Sequence, residues 1–152
     1  MKKALIVLGS AFLSLIVLAI GGLAASHWIV TAADRDGKAY VDRVTPTIVA
    51  AWDPSALVGQ ASPEFLSAAP RAKIDTIFNV FSNRLGTLQR YGGASRQDYF
   101  VNFTLHGPVV TLTYTADATF EKGPATLRIR TVRHGAEWKL LEFFVHSEAL
   151  LR

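Results

Sequence analysis

The sequence contains no cysteine. This absence excludes a disulfide framework, a cysteine-ligated metal and a lipoprotein anchor attached to cysteine. Any folded domain in this chain therefore depends on its own hydrophobic core. The 119 residues of the range 34–152 are enough to build one.

Charge is missing from the beginning of the chain. No charged residue lies between Lys3 and Asp34, and the most apolar part of this segment is ALIVLGSAFLSLIVLAIGGLAA, residues 4–25. About 20 apolar residues are enough for a helix to cross a bilayer. Lys2 and Lys3 place the N-terminus in the cytoplasm, and Trp28 lies where an interfacial aromatic residue is expected. We predict that residues 1–33 are a signal anchor that spans a bacterial cytoplasmic membrane once, with residues 34–152 outside the cytoplasm.

A cleaved signal sequence is the alternative. Such a sequence usually has an apolar core of about 7–15 residues, followed by small residues at the cleavage site. The segment here is longer, LAAS places Leu23 three positions before a cut, and TAAD lies far from the charged N-terminus. These features favour an uncleaved anchor over a cleaved periplasmic or secreted protein.

The range 34–152 is nearly balanced in charge. It contains 14 Lys and Arg against 12 Asp and Glu, a net charge of +2. Nucleic-acid binding needs basic residues clustered on one face, so we predict no nucleic-acid partner. In the anchor, Ser10 with Ser14 and Gly21 with Ala25 are small pairs that let two helices approach closely. We predict a homodimer or another envelope protein as partner.

Helical spacing dominates residues 34–86. An apolar stripe predicts a first helix that ends near WDPSAL, residues 52–57. Its members are Tyr40, Val44, Ile48, Ala51 and Trp52. Pro46 lies within this helix and is expected to kink or split it, because proline lacks an N–H and its ring clashes with the preceding turn.

Two further helices are marked by their ends. In SPEFL, Ser62 is a cap and Pro63 takes the first helical position. The segment RAKIDTIFNVFSNRLG, residues 71–86, has an apolar stripe and ends at Gly86, a glycine cap. These signals predict three helices after the anchor.

After Gly86 the apolar period changes to two, which predicts antiparallel strands with one buried face. The runs 99–105 and 110–120 alternate, and ATLRIRTV and WKLLEFFV follow them. Turns with glycine, in HGP, EKGP and RHGAE, separate the strands. The order predicts one α+β domain in which three helices pack on a curved antiparallel sheet of four to five strands.

The last of these strands changes parity. Trp138 and Leu140 alternate on one face, whereas Leu141, Phe143 and Val145 alternate on the other. One extra residue near Leu140 and Leu141 forms a β-bulge, which shifts the parity and bends the sheet. We predict this bulge, and a sheet cupped around the helices.

Four features follow one another along the chain: a WD turn, a short helix, a longer helix that ends in glycine, and a last strand of the form W-x-L-x-x-F-x-V-x-S. The residues are Trp52, Asp53, Leu57, Leu85, Gly86, Trp138, Leu140, Phe143, Val145 and Ser147. This pattern resembles the nuclear transport factor two-like superfamily of cone-shaped α+β domains. With its anchor, the chain looks similar to membrane-anchored bacterial members, and more loosely to bitopic assembly factors of type IV secretion systems. The resemblance implies a cavity between helices and sheet.

The candidate site consists of aromatic residues. The candidates for lining a ligand pocket are Tyr40, Trp52, Tyr114 and Phe143. The alternative, which the sequence favours, is that these rings belong to the core with their hydroxyls at its rim. Tyr40, Tyr99 and Tyr114 lie on predicted buried faces, where a phenol normally needs a hydrogen-bond partner.

No catalytic residue, cofactor or metal is predicted. No two of the four histidines have the spacing of metal ligands. Glu142 and His146 share a strand parity that suits a base and its orienting partner, but this parity should face away from Phe143 and Val145. No catalytic motif of ketosteroid isomerase-like or polyketide cyclase-like members matches the sequence.

Two functions follow as hypotheses. The first is a non-enzymatic protein-interaction or envelope-assembly module held at the membrane. The alternative is a small-molecule-binding or isomerase/cyclase-like protein that uses the cavity of the cone.

Overall fold

The structure is a computed structural model that describes the backbone of residues 2–151 and the side chains of residues 16–25 and 27–151. The described part is an α+β fold with a long apolar helix, three shorter helices, a four-stranded antiparallel sheet and a 3₁₀ turn. The elements are α1 Lys2–Val49, α2 Pro54–Gln60, α3 Pro63–Ala68, α4 Arg71–Leu85, β1 Leu88–Thr104, β2 Gly107–Phe120, β3 Gly123–His134, β4 Glu137–His146 and the 3₁₀ helix Glu148–Leu150.

Helix α1 joins two elements that the sequence patterns kept apart. It runs without interruption from Lys2 to Val49, so the predicted boundary between residues 33 and 34 lies inside it. No glycine or proline stands at this boundary, so the backbone has no reason to leave the helical conformation there. The helix begins to pack on the domain at Val30, and its buried face continues through Ala33, Val41 and Ile48.

Part of α1 is long and apolar enough to cross a membrane. The segment that meets this description within the described residues starts at Ile16 and is largely exposed. A signal sequence near an N-terminus has the same length and composition, so this property is shared by both of the predicted alternatives.

Pro46 does not split α1. The helix continues to Val49, and the N–H of Ala50 donates to the carbonyl of Pro46 over 2.9 Å. Pro46 therefore lies in the last turn, where its missing N–H removes a single helical hydrogen bond. Of the predicted stripe, Ala51 is exposed because it follows the end of the helix.

The number of helices differs from the prediction because α2 was missed. Its start is marked by Asp53, whose carboxylate accepts from the N–H of Ser55, and by Pro54 at the first helical position. The other predicted ends are confirmed. The Ser62 hydroxyl accepts from the N–H of Phe65 to start α3, and Gly86, with a φ of 76°, ends α4.

The sheet is an antiparallel meander in the order β1-β2-β3-β4. The predicted bulge is confirmed, because Arg130 pairs with Glu142 and Thr131 pairs with Leu140, which leaves Leu141 as the extra residue. Leu140 is fully buried before the bulge, and Phe143 and Val145 pack against the core after it. One extra residue thus keeps both halves of β4 on the helix side of the sheet.

Strand β1 departs from the prediction in its length and in its exposure. It begins at Leu88 rather than near Tyr99. Its register shifts at three places between Leu88 and Asp98, which obscures alternation in that first part of the strand. The predicted burial of Tyr99 is wrong. Tyr99 is 53% exposed, because it lies where the β1–β2 hairpin is not covered by the rest of the domain.

Candidate binding site

An apolar pocket of about 320 Å³ lies between the helices α2, α3 and α4 and the second half of β4. Leu57, Phe65, Ile74 and Phe78 form its buried floor. The sheet wall is the segment 141–145. The bulge places this wall, because the extra residue at Leu141 turns the following apolar side chains toward the helices.

The open edge of β4 borders this pocket. At Leu140 the edge is covered, since its carbonyl accepts from the N–H of Ser62 over 2.8 Å and Ala61 forms a parallel bridge with it. Beyond Leu140, residues 141–146 pair only with β3 within the described part of the chain. A free strand edge therefore lies beside an apolar cavity.

Charge at the pocket comes from Lys73 and Glu142. The guanidinium of Arg130 binds the Glu142 carboxylate over 2.9 Å, so the charge of Glu142 is compensated by this ion pair. Lys73 is exposed at the mouth. Among the side chains that the structure describes, no group of three or more His, Asp or Glu residues is arranged to hold a metal ion.

Trp52 belongs to an aromatic cluster that fills the interior. Its ring stacks on Phe120 at 5.1 Å and contacts Phe78 and Phe81 at 5.6 and 5.0 Å between centroids. Its Nε1–H donates to the carbonyl of Gly86 over 2.9 Å. The polar atom of the ring is thus satisfied by the backbone, as a buried indole requires.

Tyr114 is fully buried and its hydroxyl is used within the fold. It donates to the carboxylate of Asp34 over 2.8 Å, and Arg96 approaches the same carboxylate at 3.6 Å. Burial, and then the hydrogen bond to Asp34, raise the pKa of Tyr114 well above its usual value. The phenol therefore stays protonated and joins α1 to β2.

Tyr40 lies elsewhere, beside an open groove between α1 and the β3–β4 turn. Its hydroxyl donates to Oε1 of Gln60 over 3.1 Å. Burial raises the pKa of Tyr40 to about 12, although the guanidinium of Arg43 opposes this effect. Like Tyr114, it holds two elements together.

Of the four predicted site residues, only Phe143 lines the apolar pocket. The structure does not bring Tyr40, Trp52, Tyr114 and Phe143 around one cavity, and their part in ligand binding stays a prediction. Pocket residues that the prediction missed, Phe65, Ile77 and Phe81, come from α3 and α4. For Ile77 and Phe81 the available signal was the apolar stripe on α4, to which both belong.

Asp42 was also missed, and it ties α1 to β1. Its carboxylate accepts from the N–H of Ala94 over 2.7 Å, from the hydroxyl of Tyr91 over 2.9 Å and from the ammonium of Lys38. Burial opposes ionisation, but these hydrogen bonds lower the pKa of Asp42. The sequence carried no signal for this role, because the β1 partners, Tyr91 and Ala94, are 49 and 52 residues away.

Comparisons with known proteins do not identify a family for this chain. No protein-family model matches the chain, and no curated protein matches it either.

Proposed function

We propose that this protein is a membrane-anchored binding module whose domain takes up an extended segment of a protein partner outside the cytoplasm. The observation that carries this proposal is the free edge of β4 beside the apolar pocket. An extended peptide recognises such a site by adding a strand to the sheet, while one of its side chains enters the neighbouring pocket.

The chemistry of the edge supports strand addition. Proteins usually protect exposed edges with lysine or proline, and the segment 141–146 contains neither. Phe144 is exposed on this segment. The other outer strand, β1, is interrupted by three register shifts, which make it a poorer template.

The course of α1 argues against one of the two candidate cleavage sites, the cut after Ala33. Val30 and Ala33 are buried in the domain. A cut after Ala33 would remove both residues from the core, whereas a cut after Ala25 would leave them in place. The continuous helix also makes the membrane segment and the domain parts of one element.

We extend the proposal to membership of the nuclear transport factor two-like superfamily. Its support is the order of elements, the helices packed against one sheet and the bulge in the last strand. A cone-shaped cavity and a bacterial membrane-anchored type are part of the same proposal.

The pocket can be blocked without disturbing the core. Ala68 is exposed at the pocket wall, so Ala68→Trp fills the mouth, and Ala72→Trp on the exposed surface of α4 is the matched control. A photoreactive phenylalanine at Phe144 is expected to crosslink a partner in intact cells. The crosslink should be lost with Ala68→Trp and kept with Ala72→Trp.

The same photoreactive residue at Val80, which is exposed on α4 away from the pocket, controls for random collisions. Equal adducts from Val80 and Phe144, or an adduct that survives Ala68→Trp, would rule out strand addition at this site.

A small molecule is the second candidate occupant of the pocket. A volume of about 320 Å³ lies at the lower end of the range for ligand pockets, and Lys73 at the mouth suits an anionic head on an apolar body. An isomerase- or cyclase-like reaction has less support, because Glu142 is paired with Arg130.

An anionic fluorescent probe, anilinonaphthalene sulfonate, tests this second function. We expect Ala68→Trp to weaken its binding by about tenfold, equivalent to about 1.4 kcal/mol, because the indole occupies the apolar volume. Ala72→Trp should leave the titration unchanged. Equal affinities in both variants would show that the probe binds elsewhere.

A further inference from the structure

A second segment without charge follows Asp98. Residues 99–116 contain no Asp, Glu, Lys or Arg, and they form the end of the β1–β2 hairpin. The one histidine of this segment, His106, lies in the turn.

The hairpin exposes large apolar side chains on both of its faces. Tyr99 pairs with Leu112 on the helix side, and Phe100 pairs with Thr111 on the opposite side. Phe100 and Phe103 are 64% and 67% exposed, and Leu105 in the turn is completely exposed. A hairpin that projects into water normally alternates apolar and polar faces, so this composition indicates a different surrounding.

The hairpin points toward the N-terminal part of α1. Asp42 binds the main chain of β1 at Ala94, whereas Asp34, two helical turns earlier, binds Arg96 and Tyr114. Moving along α1 toward its N-terminus therefore means moving along β1 toward the hairpin turn. The membrane segment and the hairpin end leave the domain in the same direction.

The charge stops at the same level on both elements. The Asp34–Arg96 ion pair marks this level. Before Asp34, α1 has no charge back to Lys3, and after Asp98, β1 and β2 have none as far as Asp117. The six residues from Asp34 back to Trp28 span about 9 Å of helix. The seven from Asp98 to Leu105 extend up to about 23 Å, enough to reach the level of Trp28.

The neighbouring turn does not extend as far. Val110 pairs with Arg133, so His134, the last residue of β3, lies at the level of Val109. This is two residues, or about 7 Å of strand, short of Gly107, where the β1–β2 hairpin closes. Charges at that depth lie where lipid headgroups are, and the uncharged hairpin end projects past them.

We propose that the end of the β1–β2 hairpin, residues 99–105, inserts into the interfacial layer of the membrane that α1 crosses. The occupant of this surface is the lipid bilayer, whose interface favours aromatic side chains such as Tyr99, Phe100 and Phe103. The inference rests on the proposed anchoring. Helix and hairpin then form two membrane contacts, and the pocket at 141–145 lies farther from the bilayer than the β3–β4 turn.

The absence of cysteine makes the test direct, because each introduced cysteine is the only label site. Leu105→Cys is labelled with an environment-sensitive fluorophore in full-length protein in phosphatidylcholine–phosphatidylglycerol vesicles. Val17→Cys reports the anchor, and Lys122→Cys, in the exposed β2–β3 turn at the opposite end, is the control. All three positions are exposed, so the label should not disturb folding.

Lipids that carry a nitroxide quencher provide the readout. We expect quenching at Val17 and at Leu105, and none at Lys122. Quenching at Val17 without quenching at Leu105 overturns the hairpin proposal and leaves the anchor standing. No quenching at any position means that the anchoring itself is wrong. If the emission of the label at Leu105 is blue-shifted but not quenched, the hairpin contacts a second copy of the chain instead of lipid. This result also overturns the proposal.

Discussion

Replacing Trp52 with alanine is expected to lower the free energy of unfolding by about 3–5 kcal/mol, the usual cost of removing a buried aromatic ring. Trp52 is only 3% exposed and contacts three phenylalanine rings, from α4 and β2. The substitution leaves a cavity where the end of α1, α4 and the sheet meet. It also removes the donor that satisfies the carbonyl of Gly86.

Urea unfolding of the full chain in detergent, followed by circular dichroism, measures this loss. Trp28→Ala is the matched control, because Trp28 is 76% exposed and its loss should change stability by no more than about 0.5 kcal/mol. Similar losses in the two variants would contradict the central role of the Trp52 cluster.

The backbone at Trp52 refines this prediction. Its φ is 53°, a left-handed conformation that costs a residue with a side chain about 1–2 kcal/mol. An alanine at position 52 still has this conformational cost, whereas a glycine does not. We therefore expect Trp52→Gly to be at least as stable as Trp52→Ala, the reverse of the usual order of these two residues.

Gly86→Ala is expected to cost about 2–5 kcal/mol, which combines left-handed backbone strain with overpacking. The φ of Gly86 is 76°, and an added Cβ would collide with Oε2 of Glu121. That oxygen accepts from the N–H of Thr87 over 2.9 Å, so moving Glu121 away breaks a second contact. The change acts next to the carbonyl that binds Trp52.

Gly93→Ala isolates the conformational part of this cost. Gly93 also has a left-handed φ, of 87°, but nothing lies within 4 Å of an added Cβ. Thermal unfolding of the two variants should show the larger loss for Gly86→Ala. If both lose the same stability, the contact with Glu121 contributes nothing and the clash is relieved by a small movement.

The ends of elements were predictable because their causes are local. Ser62 with Pro63 starts α3 and Gly86 ends α4, since a cap acts on backbone groups within about four residues. The bulge at Leu141 was predictable for the same reason, because a parity change is visible in a few neighbouring residues. The fold class followed from the order of these local signals.

The candidate site was less accessible from the sequence. An apolar period shows that Tyr40, Trp52 and Tyr114 face an interior, but it does not show which atoms they meet there. The partners that hold them, Gln60, Gly86 and Asp34, lie 20, 34 and 80 residues away. Only Phe143 reaches the pocket, because the bulge and three separate helices meet beside it.

The sequence alone was enough to predict the uncharged first segment, the antiparallel strands and most helix ends, because each depends on interactions between near neighbours. Three features depend on packing between distant segments: the burial of α1 from Val30 onward, the pocket beside the β4 edge, and the exposure of the β1–β2 hairpin. Hydrophobic burial is non-directional, so an apolar pattern shows only that burial of that face is favourable. Tertiary packing decides which segment covers the face, or whether the face stays exposed.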